Sequence, residues 1–234
     1  MHENLDVIAF GAHPDDVELS CGGTLAKLKS KGYSIGIIDL TRGELGTRGT
    51  AEIRDNEAAE AAKILGVDLR HNLKFRDGFF ENNEAHQLEV VKIIRKYRPN
   101  IVLLNAIEDR HPDHKKASDL VSQSCFLSGL AKIDTGQDAW RPKQVYHYIQ
   151  FKEITPDFVV DISDFIDVKI QAVKAFSSQF FNPNSNEADT VISTQGFLES
   201  IRYRAANLGR ISMIEYAEGF TVEKPIVVDI TDLK

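Results

Sequence analysis

The stretch LDVIAFGAHPDD, residues 5–16, places a histidine, a proline and two adjacent aspartates directly behind a short apolar run. The run at residues 5–10 contains β-branched side chains, which is typical of a strand covered on both faces. Like charges side by side repel each other, so the pair Asp15 and Asp16 needs a compensating group. The stretch therefore predicts a buried strand whose carboxyl end carries a polar site.

The same order of strand, loop and helix repeats along the first half of the chain. Strands are predicted at residues 5–10, 34–41, 71–75 and 100–107, and helices at 24–32, 51–66, 84–98 and 115–131. Strands that alternate with helices in this way form right-handed βαβ units. The pattern predicts an α/β fold over the first 135 residues or so: a Rossmann-like, doubly wound, mostly parallel sheet with helices on both faces.

The second half of the chain predicts further strands and helices. Apolar runs at residues 145–151, 157–163 and 224–230 are typical of strands, and helices are expected near 164–177 and 195–208. The segment TGQDAWRP, residues 135–142, is typical of an irregular connection. Because no stretch is rich enough in Pro, Gly or Ser to act as a linker, we expect one domain over residues 1–234.

The composition argues against several classes of partner. The 234 residues carry 28 Lys and Arg against 35 Asp and Glu, a formal charge of −7, and the basic residues are scattered. This disfavours nucleic acid or an anionic membrane as a partner. No apolar run approaches the roughly 18 residues of a membrane span, and the N-terminus does not resemble a secretory signal. With two isolated cysteines, Cys21 and Cys125, the protein is expected in the reducing cytoplasm, acting on a small molecule.

Two polar motifs follow predicted strands. AHPDD at residues 12–16 follows the first strand, and EDRHPDH at 108–114 follows the strand at 100–107. In open parallel sheets, ligands bind beyond the carboxyl ends of the strands, near the point where strand order reverses. If both strands are central, the two loops meet over one crevice. His13, Asp16 and His114 then form a set of two imidazoles and one carboxylate.

Such a ligand set is typical of a catalytic metal centre. Catalytic zinc uses three protein ligands and leaves a fourth position for water. A divalent cation also offsets the repulsion between Asp15 and Asp16, since one carboxylate is a ligand while its neighbour stays free as a base. Each motif alone has a simpler interpretation, because aspartates before helices are commonly caps and loop histidines are commonly solvated.

Three other functions fit part of the pattern. A hydride-transfer enzyme is disfavoured because the first βα turn reads FGAHPDD rather than GxGxxG, and carboxylates there repel a pyrophosphate. A non-haem iron oxygenase uses the same set of two histidines and one carboxylate, so Fe²⁺ is an alternative ion. A binding or assembly module with a structural metal needs a closed four-ligand site, and the sequence offers three good ligands.

The two motifs resemble those of the LmbE-like (PIG-L) zinc-dependent N-acetylglucosaminyl deacetylases. The similarity extends through GAHPDDVELSCGGTLAK, DLTRGELGTRGTAEIRDNEA and EDRHPDHKKA, and it is closest to the deacetylases of bacillithiol biosynthesis. By position, the resemblance implies His13, Asp16 and His114 as zinc ligands, Asp15 as general base, His111 as oxyanion stabiliser, Asp113 as the residue that orients His111, and Arg54, Glu44 and Arg48 as substrate-binding residues, with Arg54 as the anion anchor.

The resemblance also implies the reaction. The expected activity is removal of the N-acetyl group from an N-acetylglucosaminyl conjugate, with N-acetylglucosaminyl-malate as the expected substrate. A thiol S-conjugate and a short N-acetyl-chitooligosaccharide are the alternatives. Water activated by the metal would attack the amide, Asp15 would take its proton, and His111 would stabilise the oxyanion. We expect one Zn²⁺ per chain and a homo-oligomer, which relatives commonly form.

Overall fold

The computed structural model of the chain describes residues 4–228. Its strands are β1 (Val7–Gly11), β2 (Ile35–Thr41), β3 (Leu69–Phe75), β4 (Ile101–Leu104), β5 (Gln144–Tyr148), β6 (Phe158–Asp161) and β7 (Ala217–Val222). Its helices are α1 (Asp16–Ser30), α2 (Ala51–Leu65), α3 (Glu84–Tyr97), α4 (Pro112–Leu127), α5 (Ile166–Lys174) and α6 (Gln195–Ile211), with short 3₁₀ helices at Ser163–Phe165 and Val191–Ser193. Within the described residues, the strands form one sheet in the order β3-β2-β1-β4-β5-β7-β6.

The sheet is mostly parallel, which confirms the predicted doubly wound fold. β1 pairs in parallel with β2 on one side and with β4 on the other, and β3 and β5 extend the sheet outward. β7 runs in the opposite direction, since it pairs antiparallel with both β5 and β6. Strand order reverses between β1 and β4, where Ala9 lies opposite Leu103. The loops that follow these two strands are therefore neighbours at one edge of the sheet.

Helices cover both faces of the sheet, which explains the unbroken burial of its central strands. Every residue of β1 and β2 is buried. Val7 and Ala9 pack with α1, α2 and α5 on one face, whereas Ile8 and Phe10 pack with α3 and α4 on the other. This alternation arises because successive side chains of a strand point to opposite faces. No helix among the described residues is long and apolar enough to cross a bilayer.

Two helices begin earlier than the sequence predicts. α1 begins at Asp16 instead of residue 24, and it runs through Gly22 and Gly23 although glycine is a poor helix former. A Cβ atom on Gly23 would lie 2.8 Å from the Ile162 side chain, so glycine is what allows this close approach. α4 begins at Pro112 instead of residue 115, because proline suits the first position of a helix.

The last strand lies elsewhere than predicted. The prediction of a strand at residues 224–230 is wrong for 224–228, which form no strand, and residues 229–230 lie outside the described part of the chain. The strand is β7 instead, with Ala217 and Phe220 buried. Its charged Glu218 is also buried and interrupts the apolar pattern that would have indicated a strand.

Glu218 is stable inside the protein because three donors surround its carboxylate. It accepts hydrogen bonds from the backbone N–H groups of Gly23 and Thr24, and it is paired with the ammonium group of Lys169. The two N–H groups point at it just beyond Cys21, where α1 departs from helical geometry with a φ of −134°. The pair of Lys169 and Glu218 thus joins α5 and β7 to the bend in α1.

We predict that Lys169→Met lowers the free energy of unfolding by about 3 to 5 kcal/mol, because it leaves the buried Glu218 carboxylate without its cation. Urea denaturation followed by circular dichroism measures this change. Lys174→Met, on the exposed face of the same helix, is the matched control and should change stability by no more than about 0.5 kcal/mol. Equal stability of the two variants would show that the buried pair contributes nothing.

Candidate metal centre and active site

The loop after β1 holds Asp15 in an unusual backbone conformation. The carbonyl of Ala12 accepts hydrogen bonds from the backbone N–H and the hydroxyl of Thr41, which fixes the loop against the end of β2. Asp15 is the N-cap residue of α1, and its backbone φ of 119° is one that residues other than glycine rarely adopt. Strain of this kind persists where the surrounding structure requires one orientation of a residue, commonly at a functional site.

The loop after β4 brings two histidines to the same edge of the sheet. His111 is the N-cap of α4, so the helix begins inside the HPDH motif and carries His114 in its first turn. The ring centroids of His13 and His114 lie 5.6 Å apart, and the His111 ring lies 4.8 Å and 5.0 Å from them respectively. The imidazole of His13 and the two imidazoles of the HPDH motif, about a hundred residues later in the chain, form one cluster.

Asp16 lies between His13 and His114. Its Oδ2 atom is 3.6 Å from Nδ1 of His13, and its Oδ1 atom is 3.1 Å from Nε2 of His114. The exposed fractions of the three residues are 8% for His13, 2% for Asp16 and 7% for His114. Two imidazole nitrogens and a carboxylate thus face one another in a buried position. They are donor atoms that Zn²⁺ and similar divalent ions take in proteins.

In His13 and His114, the ring nitrogen that does not face Asp16 lies next to another carboxylate. Nε2 of His13 lies 3.1 Å from Asp77 Oδ1 and 3.4 Å from Asp113 Oδ2. Nδ1 of His114 lies 2.6 Å from Asp109 Oδ2. Metal-binding histidines almost always have such a partner, which fixes the ring and leaves the other nitrogen for the ion. The residues present therefore fit a divalent metal ion.

Among residues 4–228, two overlapping groups of side chains bring potential ligand atoms within 4.8 Å of one another: His13, His111 and His114 in one, and His13, Asp77 and Asp113 in the other. His13 belongs to both groups and is the side chain they share. In the second group, both carboxylates already accept a backbone N–H, Asp77 from Leu45 and Asp113 from Gly78. These carboxylates are therefore engaged by the protein itself.

Carboxylates control the protonation of the two buried histidines. Burial alone would lower the pKa of His13, but hydrogen bonds with Asp113, Asp16 and Asp77 outweigh it and hold that pKa well above its usual value. Burial is likewise outweighed at His114, where the Asp16 charge and the hydrogen bond with Asp109 raise the pKa to about 9. Without a metal ion both rings are protonated at neutral pH, so a metal must displace these protons.

Asp15 and Asp16 are neighbours with opposite electrostatic behaviour. Burial raises the pKa of Asp15 to about 7, even though the guanidinium of Arg54 lies 2.5 Å away and favours the charged form. Burial also opposes ionisation of Asp16, but the charge of His114 outweighs it and holds the pKa of Asp16 well below its usual range. Asp16 is thus a permanent anion, whereas Asp15 titrates near neutral pH, where a general base is most effective.

His111 presents one ring nitrogen to the cavity above the cluster. Its Nδ1 accepts a hydrogen bond from the backbone N–H of Asp113 at 3.3 Å, so the neutral ring carries its proton on Nε2. Burial and the neighbouring His13 lower the pKa of His111, which keeps the ring neutral at neutral pH. The family resemblance implies that Asp113 orients His111. In the structure the backbone of Asp113 makes that contact, and its carboxylate lies against His13 instead.

A cavity of about 530 Å³ opens over the cluster. The histidines and aspartates form its floor, and apolar side chains form much of its wall, namely Leu45, Phe151, Val191, Ile192 and Phe197. Arg110 lines it as well, with its guanidinium carbon 4.6 Å from the centre of the Phe151 ring. A volume of this size accommodates a small organic molecule.

Arg54, the predicted anion anchor, lines the cavity but is bound to the protein. Its guanidinium donates hydrogen bonds to the carboxylate of Asp15 and to the carbonyl oxygens of Pro14 and Gly43. Arg54 is also buried, with 5% of its surface exposed. The geometry is that of a group that holds Asp15 in place.

The other two predicted substrate-binding residues lie outside the cavity lining. Glu44 accepts a hydrogen bond from the backbone N–H of Asp77. Arg48 is buried and joins two loops at the rim, since its guanidinium donates to Ser185 Oγ at 2.7 Å and faces the Glu187 carboxylate at 3.6 Å. The structure therefore brings together the predicted metal ligands, the predicted base and Arg54, and it places Glu44 and Arg48 outside the cavity lining.

Five residues of the site are not found by sequence reasoning: Asp77, Asp109, Asn105, Gln150 and Arg110. Asp109 and Arg110 lie inside the EDRHPDH motif, and Asn105 directly follows the run NIVLL, so polar residues at a strand end are the available signal. Asp77 and Gln150 follow β3 and β5, and only the order of strands in the sheet brings them to the site.

Comparison with known proteins gives consistent matches. The family model of PIG-L, GlcNAc-PI de-N-acetylase, matches residues 8–125. Diacetylchitobiose deacetylase of Thermococcus kodakarensis is 32% identical over 229 residues, covering 91% of this chain and 81% of that protein. The crystal structure of a conserved protein of Thermus thermophilus matches with a TM-score of 0.88 and 38% identity, over 97% of this chain and 98% of the other. N,N′-diacetylchitobiose deacetylase of Pyrococcus horikoshii matches with a TM-score of 0.81 and 27% identity, over 97% and 88%.

We predict that Zn²⁺ binding to the metal-free protein releases about two protons near neutral pH, since His13 and His114 must both become neutral. The apparent zinc affinity should therefore rise with pH between about pH 6 and pH 8, by up to about tenfold per unit for each displaced proton. Calorimetry in buffers of different ionisation enthalpy counts the protons. His71→Gln, at an exposed histidine, should release the same number. An affinity independent of pH would contradict the protonation of these rings.

Proposed function

The chain belongs to the PIG-L family of GlcNAc-PI de-N-acetylases, and we propose that it hydrolyses the N-acetyl group of an N-acetylglucosaminyl conjugate with a divalent metal ion. The observation that carries this proposal is the position of Asp15. A buried carboxylate, held by the guanidinium of Arg54 at 2.5 Å, lies directly beside Asp16 and the imidazole cluster. Hydrolysis of an amide requires a base of this kind next to the metal.

The metal ligands we propose are His13, Asp16 and His114. Their facing atoms are Nδ1 of His13, the carboxylate of Asp16 and Nε2 of His114, and the remaining histidine nitrogens are bound to other carboxylates. In this assignment Asp77 and Asp109 hold the rings in orientation. A set of three ligands leaves a coordination position for water and substrate, as catalytic zinc sites do.

The residues around the ligands perform the proton transfers. A zinc ion held there would lower the pKa of water and polarise the acetyl carbonyl. Asp15, held by Arg54 at 2.5 Å, accepts the proton of the attacking water. Arg54 in this role is a positioning residue and not the anion anchor expected from the sequence.

His111 is the group that we assign to the oxyanion. With Nδ1 bound to the backbone of Asp113, its Nε2–H is available as a donor in the neutral ring. A single donor of this type contributes about 3 to 4 kcal/mol to transition-state stabilisation in acyl transfer. A neutral ring is sufficient here, so His111 need not be protonated for catalysis.

The ion we propose is Zn²⁺, one per chain. Two histidines and one carboxylate also suit Fe²⁺, which makes metal analysis part of the test. An oxygenase would have no use for a second buried carboxylate beside the ligands, and Asp15 therefore favours hydrolysis. The single domain over residues 1–234, the homo-oligomer and the cytoplasmic location stay predictions.

For the substrate, we propose an N-acetylglucosaminyl conjugate with an acidic group, of which N-acetylglucosaminyl-malate in bacillithiol synthesis is the expected example. The position of Arg110 favours a substrate with an acidic group. Its exposed guanidinium lines the cavity and is oriented by the Phe151 ring at 4.6 Å. A planar guanidinium is well suited to bind a carboxylate.

The second candidate is an N-acetyl-chitooligosaccharide. Two of the matched proteins are named for diacetylchitobiose, and the apolar wall that includes Phe197 and Val191 offers a surface for a second sugar ring. The two candidates differ in charge at the same position of the cavity. A neutral sugar does not need Arg110, whereas an acidic aglycone does.

We predict that the purified protein contains about one zinc per chain and releases acetate faster from N-acetylglucosaminyl-malate than from N,N′-diacetylchitobiose. Arg110→Gln should raise KM for the malate conjugate about tenfold or more and leave KM for diacetylchitobiose unchanged, because it removes a charge-assisted hydrogen bond. Arg141→Gln is the matched control, since Arg141 stacks on Phe126 at 4.3 Å away from the cavity. Faster release of acetate from diacetylchitobiose, together with an unchanged KM of Arg110→Gln for the malate conjugate, would favour the second candidate.

We predict that Asp15→Asn retains zinc but loses at least about a hundredfold in kcat, because the amide cannot accept the water proton. His13→Ala should instead lose the metal, since it removes a ligand. Metal content by mass spectrometry and acetate release distinguish the two variants. Near-normal turnover of a zinc-loaded Asp15→Asn protein would remove Asp15 as the base.

A further inference from the structure

We propose that Asn105 and Gln150 form an amide clamp that positions the Asp16 carboxylate for the metal ion. The proposal rests on the proposed function only in taking Asp16 as a metal ligand. The HPDD and HPDH motifs predict neither of these two residues, and the catalytic steps proposed above do not use their side chains. Both are positioning residues: Asn105 acts through Asp16, and Gln150 acts mainly through Asp16, with its amide nitrogen also 3.3 Å from Nε2 of His114.

The two amides bind the two oxygens of Asp16 separately. Asn105 Nδ2 donates to Asp16 Oδ2 at 3.1 Å, and Gln150 Nε2 donates to Asp16 Oδ1 at 2.5 Å. The backbone N–H of His13 adds a third hydrogen bond, to Oδ2 at 3.0 Å. With a donor on each oxygen, the carboxylate cannot rotate about its Cβ–Cγ bond without breaking one of these bonds.

The orientation of each amide is determined by its own partners. The backbone N–H of Ala12 donates to Asn105 Oδ1 at 3.0 Å, so the oxygen of this amide must face Ala12 and its nitrogen must face Asp16. Asn105 Nδ2 also donates to Gln150 Oε1 at 3.1 Å, and this contact turns the nitrogen of Gln150 toward Asp16. The directions of all these hydrogen bonds therefore follow from one backbone N–H group.

The clamp also connects the three strands that carry the site. Ala12 follows β1, Asn105 follows β4 and Gln150 lies just beyond β5, so the amides join these strands past the end of the β1–β4 pairing. The carbonyl of Gln150 accepts a hydrogen bond from Arg204 on α6, which also donates to the carbonyl of Leu19 on α1. The spacing between the two ligand-bearing loops is therefore fixed by side chains as well as by the sheet.

Neutral amides suit this role better than cations would. Asn105 is fully buried and Gln150 is 4% exposed, so their donors act in a medium of low dielectric constant. A lysine or arginine at the same place would orient Asp16 but would also neutralise it and repel a divalent ion. Amide donors orient the carboxylate and leave its full negative charge for the metal.

The test measures Zn²⁺ affinity of the metal-free protein by competition with a chromophoric chelator, in the absence of substrate. Asn105→Leu and Gln150→Met remove the donors at similar volume. Each should weaken zinc binding about 10- to 100-fold, the usual effect of losing a partner of a metal ligand. With zinc saturating, KM should stay within about twofold while kcat falls about tenfold or more.

Ser118→Ala is the matched control. Ser118 is a buried residue on the same helix as His114, and its hydroxyl is bonded to His147 at 2.9 Å and makes no contact with Asp16. This variant loses a buried hydrogen bond, so it should unfold at a lower urea concentration but bind zinc within about twofold of the parent. Zinc affinity that tracks stability across all three variants would overturn the clamp.

The outcomes separate this proposal from the proposed function. If the parent binds zinc and the two clamp variants bind it more weakly, the clamp holds even where no acetate is released from any substrate. If the parent deacetylates and a folded clamp variant binds zinc within about twofold of it, the clamp is wrong and the function stands. Gln150→Met leaves the bond between Ala12 and Asn105 intact and decides the question should Asn105→Leu not fold.

Discussion

The site depends on the parallel pairing of β1 with β4. These strands are far apart in the chain, and their hydrogen-bonded register, Val7 with Ile101 through Ala9 with Leu103, brings the loops that follow them to one edge of the sheet. The ligand-bearing helices α1 and α4 then start within those loops. A shift of the register by one residue would turn every side chain of β1 to the other face and separate His13 from His114.

Charge is the second constraint on the site. Five aspartates, Asp15, Asp16, Asp77, Asp109 and Asp113, lie within or beside the histidine cluster, which is costly for carboxylates removed from water. The protein compensates them with protonated imidazoles, with Arg54 and with amide or backbone donors. A divalent ion held by His13, Asp16 and His114 would take the place of the protons on the imidazoles. The second aspartate of HPDD is thus a permanent anion, and the first is left to titrate.

Much of the fold follows from the sequence because its central strands are mostly apolar and many of its helices are amphipathic. The predicted position of the last strand is wrong because β7 contains a buried charge. Its Glu218 accepts hydrogen bonds from the backbone N–H groups at the bend of α1. The grouping of His13, Asp16 and His114 follows from the topology of parallel sheets. The partners of Arg54, and the position of Asp113 against His13, could not be predicted, because they depend on side-chain orientation and not on spacing along the chain.

The rim of the cavity is attached differently from its floor. The floor consists of side chains at strand ends, whereas the wall at Val191 and Ile192 belongs to a segment held to the loop before α2 through Arg48, Ser185 and Glu187. Insertions or exchanges in this segment would reshape the space for the aglycone and leave the cluster of His13, Asp16 and His114 untouched. Changes in this segment can therefore alter the shape of the cavity while the metal-binding side chains stay in place, whereas a change at Arg110 alters the charge of the cavity from within the HPDH loop.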